Sequence, residues 1–151
     1  MAIELPKQSF IALAAVGWAD GSLKRSEAGA LVDAAKQSGR SGDELAEIEQ
    51  ATKSLVSLDA FDPAGMSAWE RLVTYALASW LACVDGVQSS DETATLAKLG
   101  EKLGIEEPVR RRAAAAAFDI AVIRHEGGKP ERYDFDKLVT RLGEKLPQLK
   151  R

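Results

Sequence analysis

Asp20-Gly21 and Asp85-Gly86 are the same turn written twice. In each copy an apolar stretch with helical spacing leads into Asp-Gly, and a Glu stands six residues after the Gly, at Glu27 and at Glu92. The offset between the copies is 65 at both positions. It also pairs Phe10 with Tyr75, Leu13 with Ala78, Val16 with Leu81, Leu31 with Leu96 and Gly39 with Gly104. A duplicated unit of this size constrains the fold more than any single residue type, because each copy has an apolar face that its neighbour must cover. The expected architecture is all-α: two helix–turn–helix repeats packed about a pseudo-twofold axis, with carboxylates at equivalent points of both.

Helical spacing runs through almost the whole chain. The first helix is expected from Pro6, a first-turn residue type, to Ala19. Its apolar residues on two adjacent stripes predict a central, largely buried element. Asp20-Gly21 ends it, with Gly free to take the left-handed conformation. A second helix follows over Arg25 to Ser38, with Ala28, Leu31, Val32 and Ala35 inward and Gly39 as its stop. Ser41 with Glu44 reads as a capping box opening a third helix that carries Leu45, Ile48, Thr52 and Leu55. Residues 58–65 read as a loop, and Asp62-Pro63 as the cap and first turn of the next helix.

That fourth helix has the clearest stripe: Trp69, Leu72, Val73, Ala76, Leu77, Trp80, Leu81 and Val84 recur at helical intervals. Ser89 with Glu92 is a second capping-box signal, opening a fifth helix with Leu96, Leu99 and Leu103 that stops at Gly104. Pro108 opens a sixth, which includes the run Ala113 to Ala117, the best helix formers. His125 to Pro130 reads as a loop. Asp134 caps a last helix with Phe135, Leu138, Val139, Leu142 and Leu146. The sum is about seven helices in one domain over 1–151, with repeat halves at about 6–58 and 63–124 and a C-terminal helix at about 134–147. No alternating β pattern is present.

Composition narrows the function classes. A chain of 151 residues with 46% hydrophobic and 28% charged residues has the balance of a folded domain rather than a disordered one. The net charge of −3 and pI of about 5.3 argue against a broad phosphate-binding surface, so no nucleic-acid partner is expected. Cys83 is the only cysteine and His125 the only histidine. No intrachain disulfide can form, and a zinc site of His and Cys lacks ligands. The apolar stretches carry Asp or Arg within a few turns, so no integral membrane segment is expected, nor a signal peptide at the start. The expectation is a cytoplasmic protein.

Asp-Gly followed by Glu also matches the second half of a calcium-binding EF-hand loop. The match fails at the earlier ligand positions. These would be Val16 and Trp18 in one copy, Leu81 and Cys83 in the other, and none has a side-chain oxygen. What covers most of the chain is a similarity to the TerB-like family, named for tellurite resistance. It is carried by Trp18-Ala19-Asp20-Gly21 through Glu27 and by Cys83-Val84-Asp85-Gly86 through Glu92, each leading to a Leu-containing helix closed by Gly.

The resemblance implies an all-α, non-enzymatic protein of a bacterial stress or tellurite-resistance type of system. It also implies metal binding at Asp20, Glu27, Asp85 and Glu92, a protein partner, and peripheral association with a membrane complex. Oxygen-only donors favour calcium, magnesium or manganese. The chain departs from the family in lacking acids between Gly and Glu in the first copy, where Lys24 and Arg25 stand; the second copy has Asp91 in addition.

A purely structural reading competes at the same four residues. An Asp in an Asp-Gly turn bonds the backbone ahead of it, and a first-turn Glu suits the positive end of a helix dipole. Against that, two carboxylates brought within about 4 Å repel by about 4 kcal/mol at an effective dielectric of 20, and protonation, a basic neighbour or a cation must relieve this. The remaining features read as structural. Arg110-Arg111-Arg112 is a solvated face with a secondary reading as a partner contact. Trp18, Trp69 and Trp80 are core residues unless one is half-exposed in a groove. Cys83 is a small core residue, and His125 has no nucleophile beside it, so no enzyme is expected.

Overall fold

The helix Ala68–Cys83 has buried side chains on every face from Leu72 to Trp80. A helix of this kind has to be enclosed by its neighbours, and this requirement organises the molecule. The computed structural model describes residues 5–19, 21, 23, 25–83, 90–122 and 143–144, with backbone alone at 26, 27, 30, 37, 60, 81–83 and 118–122. In chain order the helices are α1 (Lys7–Gly17), α2 (Arg25–Gln37), α3 (Gly42–Ala51), α4 (Ala68–Cys83), α5 (Ser90–Lys102) and α6 (Glu107–Val122), with a 3₁₀ turn at Leu58–Ala60 before α4. Every described element is helical. Gly143 and Glu144 are helical too; the rest of the helix expected at 134–147, and the loop at His125 to Pro130, lie outside the described residues.

α6 and α1 make the largest contacts with α4, and α5 and α2 complete its cover. One contiguous core draws Phe10, Leu13 and Val16 from α1, Leu31 and Ala34 from α2, Ile48 from α3, Leu99 from α5 and Ala113 and Ala116 from α6. On α2 the buried face is Leu31, Ala34 and Ala35, with Val32 only half-buried, a small rotation from the expected stripe. α1 is buried from Ala12 to Gly17, as its two apolar stripes predict. At the α1–α4 crossing the Ser9 and Thr74 hydroxyls lie 2.8 Å apart, both buried, and Thr74 Oγ1 is also 2.7 Å from the Glu70 carbonyl. Each hydroxyl has one proton. With Thr74 donating to Glu70, Ser9 donates to Thr74. Positions 9 and 74 are themselves 65 apart.

α2 and α5 are each 13 residues long and start 65 apart; α3 and α6 also start 65 apart. α2 and α5 end the same way. Gly39 (φ 83) and Gly104 (φ 72) turn left-handed. The next N–H, of Arg40 or Ile105, bonds back to Ala35 O at 3.0 Å or Gly100 O at 3.1 Å. This closing bond satisfies a carbonyl at the helix end, and a side chain at either Gly would strain it.

Three local expectations are corrected. Ser41 stands at the N-cap of α3 but its side chain makes no cap bond, and Glu44 pairs with Arg40 at 3.1 Å instead. α3 stops at Ala51, leaving Thr52 and Leu55 outside it. Trp18 Nε1 takes the Ala51 carbonyl at 2.8 Å, the acceptor that the Leu55 N–H would use in a longer helix. Asp62 does not cap α4. Its Oδ1 accepts from Ala64 N–H at 3.0 Å in a local turn, and the cap is a reciprocal box. Ser67 Oγ accepts from Glu70 N–H at 3.1 Å, and Glu70 Oε1 accepts from Ser67 N–H at 2.8 Å.

Arg71 locks the connection to the bundle. Its guanidinium donates to Met66 O (3.1 Å), Pro63 O (3.2 Å) and Leu103 O (3.0 Å). One cation thereby holds the loop before α4 and a carbonyl at the end of α5 that no helical N–H reaches. Replacing Arg71 by Met should lower unfolding stability by about 2–4 kcal/mol, as charge-assisted bonds are lost and buried carbonyls left unpaired. Urea denaturation measures this; a change under about 0.5 kcal/mol would show the clamp to be ornamental. At the crossing, Ser9→Ala and Thr74→Val should each cost about 1 kcal/mol, and the double variant less than the sum, because the two hydroxyls satisfy each other.

Candidate functional site

α5 begins with Ser90, Asp91 and Glu92, so its first turn is acidic. Glu92, Leu96, Leu99 and Leu103 fall at i, i+4, i+7 and i+11, the spacing of one helix face, and all four are buried. Glu92 therefore sits on the stripe that faces the core, and the residue is 4% exposed. A carboxylate there must be hydrogen-bonded or paired, and Glu92 does have a polar interaction. Asp91, one residue earlier, points to solvent.

Of the other residues expected at this site, Asp20 and Asp85 lie outside the described residues. The backbone of Glu27 is in the first turn of α2. Gly21 follows the α1 terminus with φ 93, the left-handed turn anticipated for Asp20-Gly21. Among the described residues no three His, Cys, Asp or Glu side chains group together as metal ligands would, and Glu92 is the one expected ligand whose side chain belongs to that set. Its oxygens are hard donors, while its place in the first turn of α5 favours the carboxylate's own negative charge.

Two clefts flank this region. The smaller, of about 410 Å³, lies between the end of α1, the segment after α3 and α5. Trp18 lines it half-buried while packing against the core, the groove position left open for one of the three; Trp69 and Trp80 are buried as expected. Lys98 and Lys102 form the opposite wall, and Lys102 Nζ bonds Leu58 O at 3.1 Å. Leu55 on its rim is 71% exposed.

The larger cleft, of about 710 Å³, has Tyr75 and Ser79 of α4, Leu96 and Ala97 of α5, and Arg110 and Ala114 of α6 among its walls. Arg110 departs from the solvated face assigned to its run. Arg111 and Arg112 are exposed, and Arg111 pairs with Glu107, but Arg110 is half-buried. The glycine opposite explains how it fits: a Cβ at Gly100 would collide with Arg110 Cδ. Nothing in the Arg-Arg-Arg run itself marks the middle of a cleft; the signal lies in a glycine ten residues away.

The chain matches no protein-family model, no curated protein and no solved structure. No described helix is long and apolar enough to cross a membrane.

Burial raises the Tyr75 phenol above its ordinary value of 10.0, with the Arg110 charge and a hydrogen bond from Ser79 acting the other way. The neutral phenol is thus the form the fold favours. Its contribution is complete below pH about 10 and is lost as pH rises through the higher folded value. Spectrophotometric alkaline titration should show a late tyrosinate component that disappears in Tyr75→Phe. An identical curve in the variant would contradict this.

Proposed function

We propose that this chain is a non-enzymatic TerB-like protein of a bacterial stress or tellurite-resistance type of system, binding a divalent cation through duplicated acidic turns and docking a protein partner. The observation that carries the metal half is Glu92, a carboxylate turned into the bundle at the head of α5. Glu27 holds the same register position at the head of α2, followed by Leu31 and Ala34 as Glu92 is by Leu96 and Leu99.

The duplication itself has three supports. α2 and α5 match in length and closing bonds, α3 and α6 start at the same offset, and positions 9 and 74 touch. In a twofold arrangement, a residue near the axis meets its own counterpart. A pseudo-twofold relating the halves at about 6–58 and 63–124 of one domain is consistent with all three. In such an arrangement Asp20, Glu27, Asp85 and Glu92 would hold the cation. Carboxylate oxygens alone select calcium, magnesium or manganese, and the bound ion would neutralise carboxylates that otherwise repel.

The partner half rests on Leu55. A 71%-exposed leucine at the mouth of a cleft walled by Trp18, Lys98, Lys102 and Asp59 is an apolar contact point with a mixed-charge rim, the surface an apolar segment of a partner would cover. With this half alone, the protein is an interaction module whose acidic turns are structural caps.

Calorimetric titration of chelator-treated protein with calcium, magnesium, manganese and zinc separates the two. The cation reading predicts saturable binding of a hard cation, lost in Glu27→Gln/Glu92→Gln and in Asp20→Asn/Asp85→Asn while the helical circular dichroism persists. If the folded wild type takes up no cation at millimolar concentration and Glu92→Gln only lowers stability by about 0.5–2 kcal/mol, as a lost cap would, the interaction-module reading stands in its place.

A further inference from the structure

The larger cleft has a counterpart in the first half of the chain, and the two differ in one consistent way. At the offset of 65, Tyr75 answers to Phe10, Ser79 to Ala14, Gly100 to Ala35 and Arg110 to Leu45. All four first-half residues are apolar. Phe10, Ala14 and Ala35 are fully buried, and Leu45 packs against the core. α2 and α3 close on each other there. In the second half two of these positions have gained hydroxyls, one has gained a cation, and the fourth has lost the methyl that would block that cation. The α5 and α6 backbones stand farther apart, with the Arg110 side chain reaching Gly100 and Ala97 across the gap, and the space between them is the cleft. What is solid core in one half is a polar-floored cavity in the other, within the range of about 300–1,000 Å³ usual for small-molecule sites.

Arg110 is the unusual group in it. It makes no ion pair with any described residue. Its Nε is buried without an acceptor, and its Nη1 has only a long 3.4 Å bond to Ala97 O. Interior guanidinium N–H groups are seldom left in that state. The other charged residues on the walls are Glu101, Glu107 and Arg111, and Glu107 is engaged by Arg111. Arg110 is the cation on these walls that no ion pair holds, although Glu107 feels its charge; between two rim carboxylates that would repel a dianion, it suits a single negative charge. The apolar walls, Leu96 and Ala97 on one side and Ala114 and Ala115 on the other, match a hydrocarbon body.

We propose that the α4–α5–α6 cleft binds a small organic monocarboxylate with an apolar body, its carboxylate on the Arg110 guanidinium and the Tyr75 hydroxyl. The shape match between carboxylate and guanidinium supplies orientation as well as charge. The inference goes beyond the cation reading: it uses none of the four acidic-turn residues and needs no metal.

Decanoate is a suitable probe, with decanol as its uncharged counterpart, titrated by calorimetry and protein-observed NMR in the presence of chelator. Decanoate should bind saturably and perturb Leu96, Ala97, Ala114 and Ala115. Decanol should bind about ten- to a hundredfold more weakly, as should decanoate to Arg110→Met. Arg110→Lys should recover part of the loss, and Tyr75→Phe should weaken binding a few-fold. Arg110→Met is expected to fold, since it removes an unpaired buried donor; circular dichroism checks this, and the decanoate–decanol contrast decides the matter without any variant. Equal binding of the two probes, unchanged affinity in folded Arg110→Met, or no saturable decanoate binding at low-millimolar concentration would each overturn the proposal. Because chelator is present throughout, failure here leaves the cation reading where it was.

Discussion

The all-round burial of α4 is the constraint from which the rest of the structure follows. A helix with no polar face gains nothing from solvent, so four others must cover it, and their connections must reach round it. α1, itself buried through most of its length, crosses it directly. Such a crossing of two apolar helices would slide easily if packing alone fixed it, since hydrophobic contact has no direction. The buried Ser9–Thr74 contact supplies direction: it forms in one register, and in any other Ser9 loses its partner across the crossing while Thr74 keeps only the Glu70 carbonyl of its own helix.

Side chains that reach main-chain carbonyls do the corresponding work at the periphery. Arg71 gathers three carbonyls from two segments, Trp18 takes the one at the end of α3, and Lys102 takes Leu58 O. Each lies where a helix ends or a loop turns, where backbone acceptors have no helical partner. The long segment between α3 and α4 is thus held by single side chains from α1, α4 and α5, without secondary structure of its own beyond one 3₁₀ turn.

Helix existence was legible because it is local. The stripes on α1 and α4, Gly39 and Gly104 as stops, and the acidic first turn of α5 follow from 3.6-residue periodicity and from what Gly alone does at positive φ. At one of the errors, the end of α3, a tertiary contact outcompeted a local one; at the other two, one local contact displaced another. Glu44 took Arg40 over Ser41, and Trp18 ended α3 before Leu55. Asp62 bonded its own turn, and the cap that operates, Ser67 with Glu70, was visible as Ser-x-x-Glu but stood behind the more conspicuous Asp-Pro. The candidate carboxylates were legible as a duplicated motif. That Glu92 is buried while its neighbour Asp91 is exposed is a question of which face meets α1 and α4.

By itself, then, the sequence determined that the chain is helical, where most helices begin and end, and that segments 65 residues apart are alike, because propensity, capping and periodicity are properties of neighbours along the chain. Only the tertiary structure decided which of the like positions became core and which became cleft. Leu45 and Arg110 occupy corresponding places on α3 and α6; their side-chain types assign one to the core and the other to solvent, yet both are half-buried. Arg110 is half-buried because Gly100, on another helix, has no Cβ to exclude it and because α5 and α6 stand apart. Burial and the unmet hydrogen-bonding capacity of a charged group depend on what crosses a side chain in space, and spacing along the chain carries no record of that.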